Sequence, residues 1–408
     1  MAELWQKILQ TGGVRIYGMV VGLATISITA RALGPEGRGE LVVINTWVTA
    51  FYMILHLSLG QVAIYHGSKS ENMNWFGKAY STLLFYAFIL TVVGWLIAVG
   101  IFFNPFVDIL GDVNPLLLIV GFLLLPCFLL EQYGTSLLTA LEKLKVYNVS
   151  QVIGQTVGLF SILFLIYVYD YGIIGVLSAT ILSQVVILSR NYKILNRIAG
   201  GFTKIKNKTL RRYFSDGAKL HLNAISTFLI GGTDILMINH FCGKEDAAFY
   251  QVGVKVLSII IILPQVATMV IYGRLTKLGP DEGWKLQRKI IIQVCLIVAL
   301  ITAIAVFTSN IWVPILCGNE FLPMLSTIRF QLLASLFMSF SIMLGSQWIC
   351  RGLFVTVSVL TTISGLLNVF GNYLLIPIYG IFGAILVTNI TYGVGIIINL
   401  IMIKKYIK

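Results

Sequence analysis

Apolar runs of membrane-spanning length recur from one end of the chain to the other. Of the 408 residues, 58% are hydrophobic and only 11% are charged, and the mean hydropathy is +0.90. These proportions lie well outside those of a soluble domain. A helix needs roughly 20 apolar residues to cross the hydrocarbon core of a bilayer. We therefore expect an all-α, polytopic membrane protein with short loops and no sizeable soluble domain.

Charged residues and Gly/Pro breaks divide the apolar sequence into twelve predicted transmembrane helices. Their approximate ranges are 14–33, 41–66, 79–103, 115–139, 148–169, 173–195, 216–240, 247–275, 288–309, 322–350, 353–376 and 381–403. An even number of spans places both termini on the same side of the membrane.

The distribution of Lys and Arg predicts which side that is. The termini and the loops after spans 2, 4, 6, 8 and 10 carry 24 of the 29 basic residues. By the positive-inside rule, both termini should lie in the cytoplasm. The largest basic cluster runs from Arg190 to Lys219 after span 6. It could be a topology signal and a solvated linker, or it could recruit anionic lipid or a partner.

Short motifs at a nearly constant offset indicate an internal duplication. They are the pairs 33–36 and 242–245 at an offset of 209, Trp75 and Trp284 at the same offset, and 171–175 and 379–383 at an offset of 208. We predict two six-helix bundles, residues 1–200 and 201–408, with a basic cytoplasmic linker at about 196–215. An axis along the membrane normal would relate the bundles and leave a central cavity between them.

Ionisable residues inside predicted spans are the main candidates for function. A charged side chain at the centre of a membrane helix costs roughly 2.5 to 3.5 kcal/mol, so it needs a partner, a wet cavity or a function. These residues are Glu131 in span 4, Asp234 in span 7, Lys255 in span 8 and Arg329 in span 10.

Their positions leave several interpretations open. Asp234 and Lys255 lie at similar depths and could form a self-neutralising ion pair. Together with Arg329, they could instead line a wet, partly cationic cavity in the outer leaflet. Arg31, near the outer end of span 1, could anchor its helix at the interface or face the cavity and bind an anion. Glu131 lacks an obvious local counter-charge. It could be protonated, or it could line the inner part of the same cavity and serve in ion coupling or charge balance.

The remaining motifs argue against other classes of function. The phosphate-binding and zinc-protease signatures are missing from the sequence, and the five cysteines stand singly. The net charge of +13 has no folded domain on which to form a nucleic-acid-binding face. We expect no enzyme activity, cofactor, metal site or nucleic-acid partner. Pro126 and Pro264 lie inside spans, where they should kink the helices.

Three stretches carry a resemblance to a known family. ITARALGPEGRGEL (28–41), TDILMINHFCGKEDAAFY (233–250) and LLIPIYGIFGAILVT (374–388) resemble the polysaccharide-transport branch of the multidrug/oligosaccharidyl-lipid/polysaccharide exporter superfamily. The resemblance implies two six-helix bundles with a central cavity, and it places Asp234 at the family's acidic position in span 7. Lys255 and Arg329 are assigned from their positions in the sequence, not from a motif.

The resemblance implies a flippase of the bacterial cytoplasmic (inner) membrane. Such a protein moves undecaprenyl-diphosphate-linked oligosaccharide by alternating access, for O-antigen, capsule or exopolysaccharide biosynthesis. Expected partners are this substrate, membrane lipids and the polysaccharide polymerase machinery, and we expect a monomer. The alternative is a proton- or sodium-coupled exporter of drugs or metabolites, although spans 1, 2 and 3 contain no Asp or Glu. A polymerase or ligase would need a larger external loop.

Overall fold

The computed structural model describes residues 2–68, 73–102 and 113–407, which form helices and short turns without a strand among them. The first helices are α1 (Ala2–Leu55), α2 (Leu59–Ser68), α3 (Asn74–Phe102), α4 (Pro115–Phe122), α5 (Leu124–Ala140), α6 (Leu144–Tyr167), α7 (Gly172–Ala199) and α8 (Asn207–Gly231). The later ones are α9 (Thr233–Cys242), α10 (Lys244–Ile260), α11 (Ile262–Leu278), α12 (Trp284–Phe307), α13 (Ser309–Cys317), a 3-10 helix (Asn319–Met324), α14 (Leu325–Leu332), α15 (Ala334–Cys350), α16 (Phe354–Tyr379) and α17 (Ile381–Tyr406).

The predicted class, an all-α polytopic membrane protein, is confirmed. Eleven helical segments of the described residues are long and apolar enough to cross a membrane. The first of these, Ile16–Leu55, is divided at Gly34, whose φ of 65° and ψ of −179° are not helical. Pro35 follows directly, at a position where its missing N–H is tolerated. Predicted spans 1 and 2 therefore meet at a kink instead of a loop, which reconciles eleven segments with twelve spans.

Several membrane helices are interrupted within their length. α4 ends at Phe122 and α10 ends at Ile260. Each end lies four residues before a proline, Pro126 or Pro264, whose ring clashes with the carbonyl at that position. Both prolines in the predicted spans therefore coincide with interruptions of the helix. A matching interruption at Leu333, between α14 and α15, has no proline after it.

The same backbone junctions occur in both halves of the chain. Gly34 and Gly243 both combine a positive φ with an extended ψ. After α5, Glu142 adopts a φ of 56°, and after α15 its counterpart Gly352 adopts 74°. The following amide donates to the carbonyl five residues back in each case, at 2.8 Å after α5 and 3.0 Å after α15. This bond is typical of a Schellman motif at a helix C-terminus. Its recurrence supports the predicted duplication.

The chain forms two compact units, Met1–Ile225 and Ser226–Lys408. The boundary falls inside α8, not at the predicted position of 200/201. The first part of α8 belongs to the first unit because it forms hydrogen bonds with residues of α1 and α3. The Tyr86 hydroxyl donates to the Leu210 carbonyl (2.9 Å), and His221 Nε2 lies 2.8 Å from the Ile54 carbonyl oxygen.

Side chains satisfy the backbone where α1 gives way to α2. Leu57 and Ser58 have positive φ values of 46° and 51°. The Ser58 amide donates to His56 Nδ1 at 3.0 Å, and the hydroxyl of the fully buried Tyr133 donates to the His56 carbonyl at 3.0 Å. Ser58 Oγ also lies 3.3 Å from His221 Nδ1 on α8. Irregular backbone at membrane depth requires such internal partners.

Candidate functional site

The carboxylate of Asp234 lies at the centre of a buried polar cluster in the second unit. Asp234 follows the helix break at Gly232 and is 1% exposed. Tyr250 of α10 donates its hydroxyl to Oδ2. Asn372 of α16 donates to Oδ1 at 2.6 Å, and Thr388 of α17 donates to Oδ2 at 3.3 Å. Four helices thus converge on one carboxylate, and we name Asp234, Tyr250, Asn372 and Thr388 the Asp234 cluster.

Further polar groups support the Asp234 cluster. Asn372 also donates to Asn368 Oδ1 at 3.0 Å, and both asparagines are fully buried. Gln331 of α14 donates to the Tyr250 carbonyl at 3.1 Å. It packs against Gly253, where a Cβ would lie 1.7 Å from Gln331 Oε1. Gly253 therefore leaves the space that brings α14 and α10 together.

Lys255 is not among the described donors to Asp234. Its side chain is exposed on α10. Lys255 follows Tyr250 by five residues, which places it about 140° further around the helix. The described hydrogen bonds to the carboxylate come instead from three neutral side chains. Tyr250 is thus the residue of α10 that the structure describes as a donor to Asp234, and the two interpretations of Lys255, ion pair or cavity base, stay predictions.

The two predicted arginines lie in different surroundings. Arg329 on α14 is partly exposed. Its Nε donates to Ser309 Oγ at 2.8 Å and its terminal nitrogen donates to Asn310 Oδ1 at 2.6 Å. Both acceptors are neutral and lie at the beginning of α13, so these two hydrogen bonds do not supply a counter-charge to the guanidinium group. Arg31 is exposed on α1, three residues before the kink at Gly34.

Glu131 forms a second polar cluster, within the first unit. Gln151 of α6 donates its amide to Glu131 Oε1. Gln155, one turn later, donates to Gln151 Oε1 at 3.2 Å. Gln184 of α7 also interacts with the carboxylate. We name these four residues the Glu131 cluster. Gln151 and Gln184 interact with the carboxylate directly, and Gln155 donates to Gln151. Hydrogen bonds to an ionised carboxylate are stronger than those between neutral groups.

The Glu131 cluster retains free acceptor atoms. In the described part of the chain, Gln155 Oε1 and Gln184 Oε1 are buried without a hydrogen-bond partner. Gly18 of α1 lies against the first of these, since a Cβ there would be 3.1 Å from Gln155 Oε1. The cluster is therefore rich in acceptors and suited to a group that donates hydrogen bonds or carries positive charge.

The sequence singled out both acids but not their partners. Tyr250, Asn372 and Gln151 lie on apolar helices, and which neighbour each one faces depends on how its helix is rotated in the packed unit. One available signal was the pair Asn368 and Asn372, four residues apart on a single helix face. Polar residues at that spacing inside an apolar span suggest a shared polar partner.

Comparison with known proteins identifies the family. The family model for polysaccharide biosynthesis proteins matches residues 4–279. The chain belongs to the polysaccharide biosynthesis protein family. The family expected from the sequence motifs is therefore confirmed. A search of curated proteins finds no match.

Several solved structures have the same fold as this chain. The lipid II flippase MurJ in an inward closed conformation matches with a TM-score of 0.82 at 13% identity, over 97% of this chain and 87% of MurJ. An inward-facing MATE-family multidrug resistance transporter of the MOP superfamily matches with a TM-score of 0.73 at 15% identity, over 95% of both chains. An outward-facing MATE-family multidrug resistance transporter of the MOP superfamily matches with a TM-score of 0.65 at 17% identity, over 97% of this chain and 94% of the transporter. The chain thus has the fold of MOP-superfamily transporters.

Proposed function

We propose that this protein is a flippase for undecaprenyl-diphosphate-linked oligosaccharide. It moves the substrate across the bacterial cytoplasmic membrane by alternating access and performs no covalent chemistry on it. The observation that carries the proposal is the polysaccharide biosynthesis family match over residues 4–279 on a MOP-transporter fold. Surface polysaccharides such as O-antigen, capsule or exopolysaccharide are the end products, and the polymerase machinery takes the flipped substrate. Both termini lie in the cytoplasm and the protein acts as a monomer.

The proposed contacts with the substrate follow from its chemistry. A diphosphate-linked sugar is polar and anionic, so it needs cationic groups along its path, while its polyprenyl tail remains in lipid. We assign Arg31, Lys255 and Arg329 to the diphosphate. Arg31 and Lys255 are exposed, and Arg329 donates to the neutral side chains of Ser309 and Asn310. A guanidinium can bind a phosphate through two parallel hydrogen bonds.

Asp234 and Glu131 are assigned to ion coupling or charge balance. The Asp234 cluster offers a carboxylate, two hydroxyl groups and an amide within one buried site. Oxygen ligands of this kind suit a small cation, and a carboxylate can instead take up a proton. Between binding events, the neutral donors of Tyr250, Asn372 and Thr388 occupy the carboxylate oxygens of Asp234. In this mechanism, binding and release of the ion change the relative stability of the transport states.

A second candidate function is a cation-coupled exporter of drugs or metabolites. The similarity to MATE-family transporters and the enclosed carboxylate of Asp234 favour it. Such an exporter would carry cationic or neutral solutes and would not need Arg31, Lys255 or Arg329 as anion contacts. The two functions therefore differ in their dependence on these three bases.

The test uses a strain that lacks the native gene and carries single variants of the protein. We expect Lys255→Gln or Arg329→Gln to reduce surface polysaccharide at least several-fold, because each removes a cation proposed to contact the diphosphate. Lys285→Gln, an exposed base at the beginning of α12, is the matched control. Membrane insertion is checked by immunoblotting of membrane fractions. Normal export by both variants would eliminate the proposed anion contacts.

Reconstituted protein separates the two functions. Proteoliposomes with a labelled lipid-linked oligosaccharide should show translocation of the head group. A glycosidase added on the side that corresponds to the periplasm detects it by cleaving the head groups that arrive there. Transport of cationic dyes without head-group translocation would favour the exporter and refute the flippase. A sodium or proton gradient applied in the same assay tests the coupling role of Asp234.

A further inference from the structure

A strongly basic surface covers the connection between α7 and α8. We name it the basic surface, and its nine members are Arg190, Lys193, Arg197, Lys204, Lys206, Lys208, Arg211, Arg212 and Lys219. Every one of them is exposed. The same stretch contains a single acid, Asp216, which lies 3.8 Å from Arg212 Nε and 3.9 Å from Lys219 Nζ. One carboxylate offsets only a small part of this charge.

The basic surface is built on an anchored scaffold. The Thr203 amide donates to Ser81 Oγ at 2.8 Å, and the Thr203 hydroxyl donates to the Gly77 carbonyl at 2.9 Å. Seven residues later, the Leu210 carbonyl accepts from Tyr86 at 2.9 Å. The segment is therefore held against α3 at two points, and its bases are displayed on a fixed backbone.

Exposed aromatic side chains accompany the bases. Phe202 is 65% exposed and Phe214 is 51% exposed. Phe202 stands beside Lys204, and Phe214 follows Arg211 and Arg212. Bases together with exposed aromatic residues are typical of segments that lie in the headgroup layer of a membrane. A solvated linker that served only as a topology signal would not need exposed phenylalanines.

We propose that the basic surface binds the phosphate groups of anionic phospholipids, with Phe202 and Phe214 inserted beside the headgroups. The bases bind the lipid phosphates, and the aromatic rings contact the upper part of the acyl chains. Juxtamembrane bases attract an anionic leaflet in proportion to their number. The binding does not depend on which substrate the protein transports.

The experiment measures lipid binding to the purified full-length protein in a neutral detergent. Phosphatidylglycerol or phosphatidylcholine is titrated, and bound lipid is counted by native mass spectrometry. The test variant is the triple substitution Lys204→Gln, Lys206→Gln and Lys208→Gln. Its matched control is Lys285→Gln, Arg288→Gln and Lys289→Gln, three exposed bases at the beginning of α12. Both variants lose three positive charges at exposed positions, and thermal unfolding verifies that both remain folded.

We expect wild-type protein to bind phosphatidylglycerol in preference to phosphatidylcholine, and to lose that preference as salt is added. The test variant should bind phosphatidylglycerol at least tenfold more weakly, and the control variant should bind like wild type. Phe214→Ser should weaken binding without changing its salt dependence. Equally weakened phosphatidylglycerol binding in both triple variants would mean that binding depends on net charge and not on the basic surface, and it would overturn the proposal.

A competing ligand supplies a second outcome. Polyprenyl diphosphate carries the same phosphate chemistry as the lipid headgroup. Selective binding of polyprenyl diphosphate, with no preference for phosphatidylglycerol over phosphatidylcholine, would overturn the phospholipid assignment. The flippase proposal would survive that result, because head-group translocation is measured separately.

Discussion

At the scale of single residues, the enclosure of Asp234 determines what a substitution does. The carboxylate accepts hydrogen bonds from Tyr250, Asn372 and Thr388. Because the side chain is 1% exposed, bulk solvent does not reach these donors when the carboxylate is removed. An unsatisfied buried donor costs about 1 to 3 kcal/mol. Stability and transport can therefore be separated by choosing what replaces the carboxylate.

We expect Asp234→Ala to lower the free energy of unfolding by about 1 to 3 kcal/mol, because it leaves the Tyr250 and Asn372 donors without their acceptor. Asp234→Asn keeps one acceptor oxygen and should destabilise less, yet it should abolish ion-coupled transport. Thermal unfolding in detergent and the proteoliposome assay measure the two effects. Glu245→Ala, which removes an exposed carboxylate from α10, is the control. Unchanged transport by Asp234→Asn would rule out ion coupling at this position.

Sequence reasoning located the acids because a charge inside an apolar span is conspicuous. It did not locate Tyr250, Gln151 or Gln155, since a tyrosine or a glutamine costs far less to bury than a charge. From depth alone, Asp234 and Lys255 could form an ion pair or line a shared cavity. Depth follows from position along a helix, whereas contact depends on rotation around the helix axis, which the sequence leaves open when both faces are apolar.

At the scale of the helices, interruptions recur at matching places in the two halves of the chain, as the predicted duplication requires. Breaks at Leu123 and Leu333 occupy matching places between α4 and α5 and between α14 and α15. Only the first is followed by a proline, so the break belongs to the fold and Pro126 reinforces it. Proline rules predicted two interruptions correctly and could not predict the third. The turn predicted between spans 1 and 2 coincides with the non-helical backbone of Gly34, where two helices meet.

The two junction glycines provide a prediction at this scale. Gly34 and Gly243 have φ values of 65° and 97° with ψ near 180°, a conformation that only glycine adopts readily. We expect Gly243→Ala to cost about 1 to 3 kcal/mol of stability through backbone strain alone, because no atom lies within 4 Å of the added Cβ.

Gly345→Ala is the control for that prediction. Gly345 lies within α15, also with no atom within 4 Å of an added Cβ, so the substitution should be neutral or slightly stabilising. Chemical or thermal denaturation in detergent compares the two variants. Equal unfolding temperatures for Gly243→Ala and Gly345→Ala would contradict the strain argument.

At the scale of the whole molecule, the number of spans and the charge bias together predict the topology. Single cysteines at Lys204 and Lys405 should react with a membrane-impermeant maleimide only from the cytoplasmic side. A cysteine at Lys244, in the junction between α9 and α10, should react from outside. The labelling background of the five native cysteines is measured on the unmodified chain. Labelling of Lys204→Cys and Lys244→Cys from one side would invalidate the twelve-span topology.

The overall class was the easiest property to predict, because composition alone requires a membrane environment. The division into two units was harder. The sequence places a boundary where the apolar pattern stops, near residue 200, while the folded chain places it where packing changes, within α8. The hydrogen bonds from α8 to Ile54 and to Tyr86 join residues that are 167 and 124 positions apart in the sequence, and no local pattern reveals them.

The row of glutamines leading to Glu131 has a further consequence. Each amide now points its nitrogen toward the carboxylate. If Glu131 took up a proton, its new O–H could donate to Gln151 only after the Gln151 amide turned over and presented its oxygen. Gln155 would then turn as well and present an N–H group beside Gly18 on α1. Infrared difference spectra of protein with isotope-labelled glutamine would show these reversals as paired amide bands, and Glu131→Gln would eliminate the dependence on acid. Binding of a proton at Glu131 on α5 would thus change the group that Gln155 presents beside Gly18 on α1. The change needs only the rotation of two amide side chains and no movement of a helix.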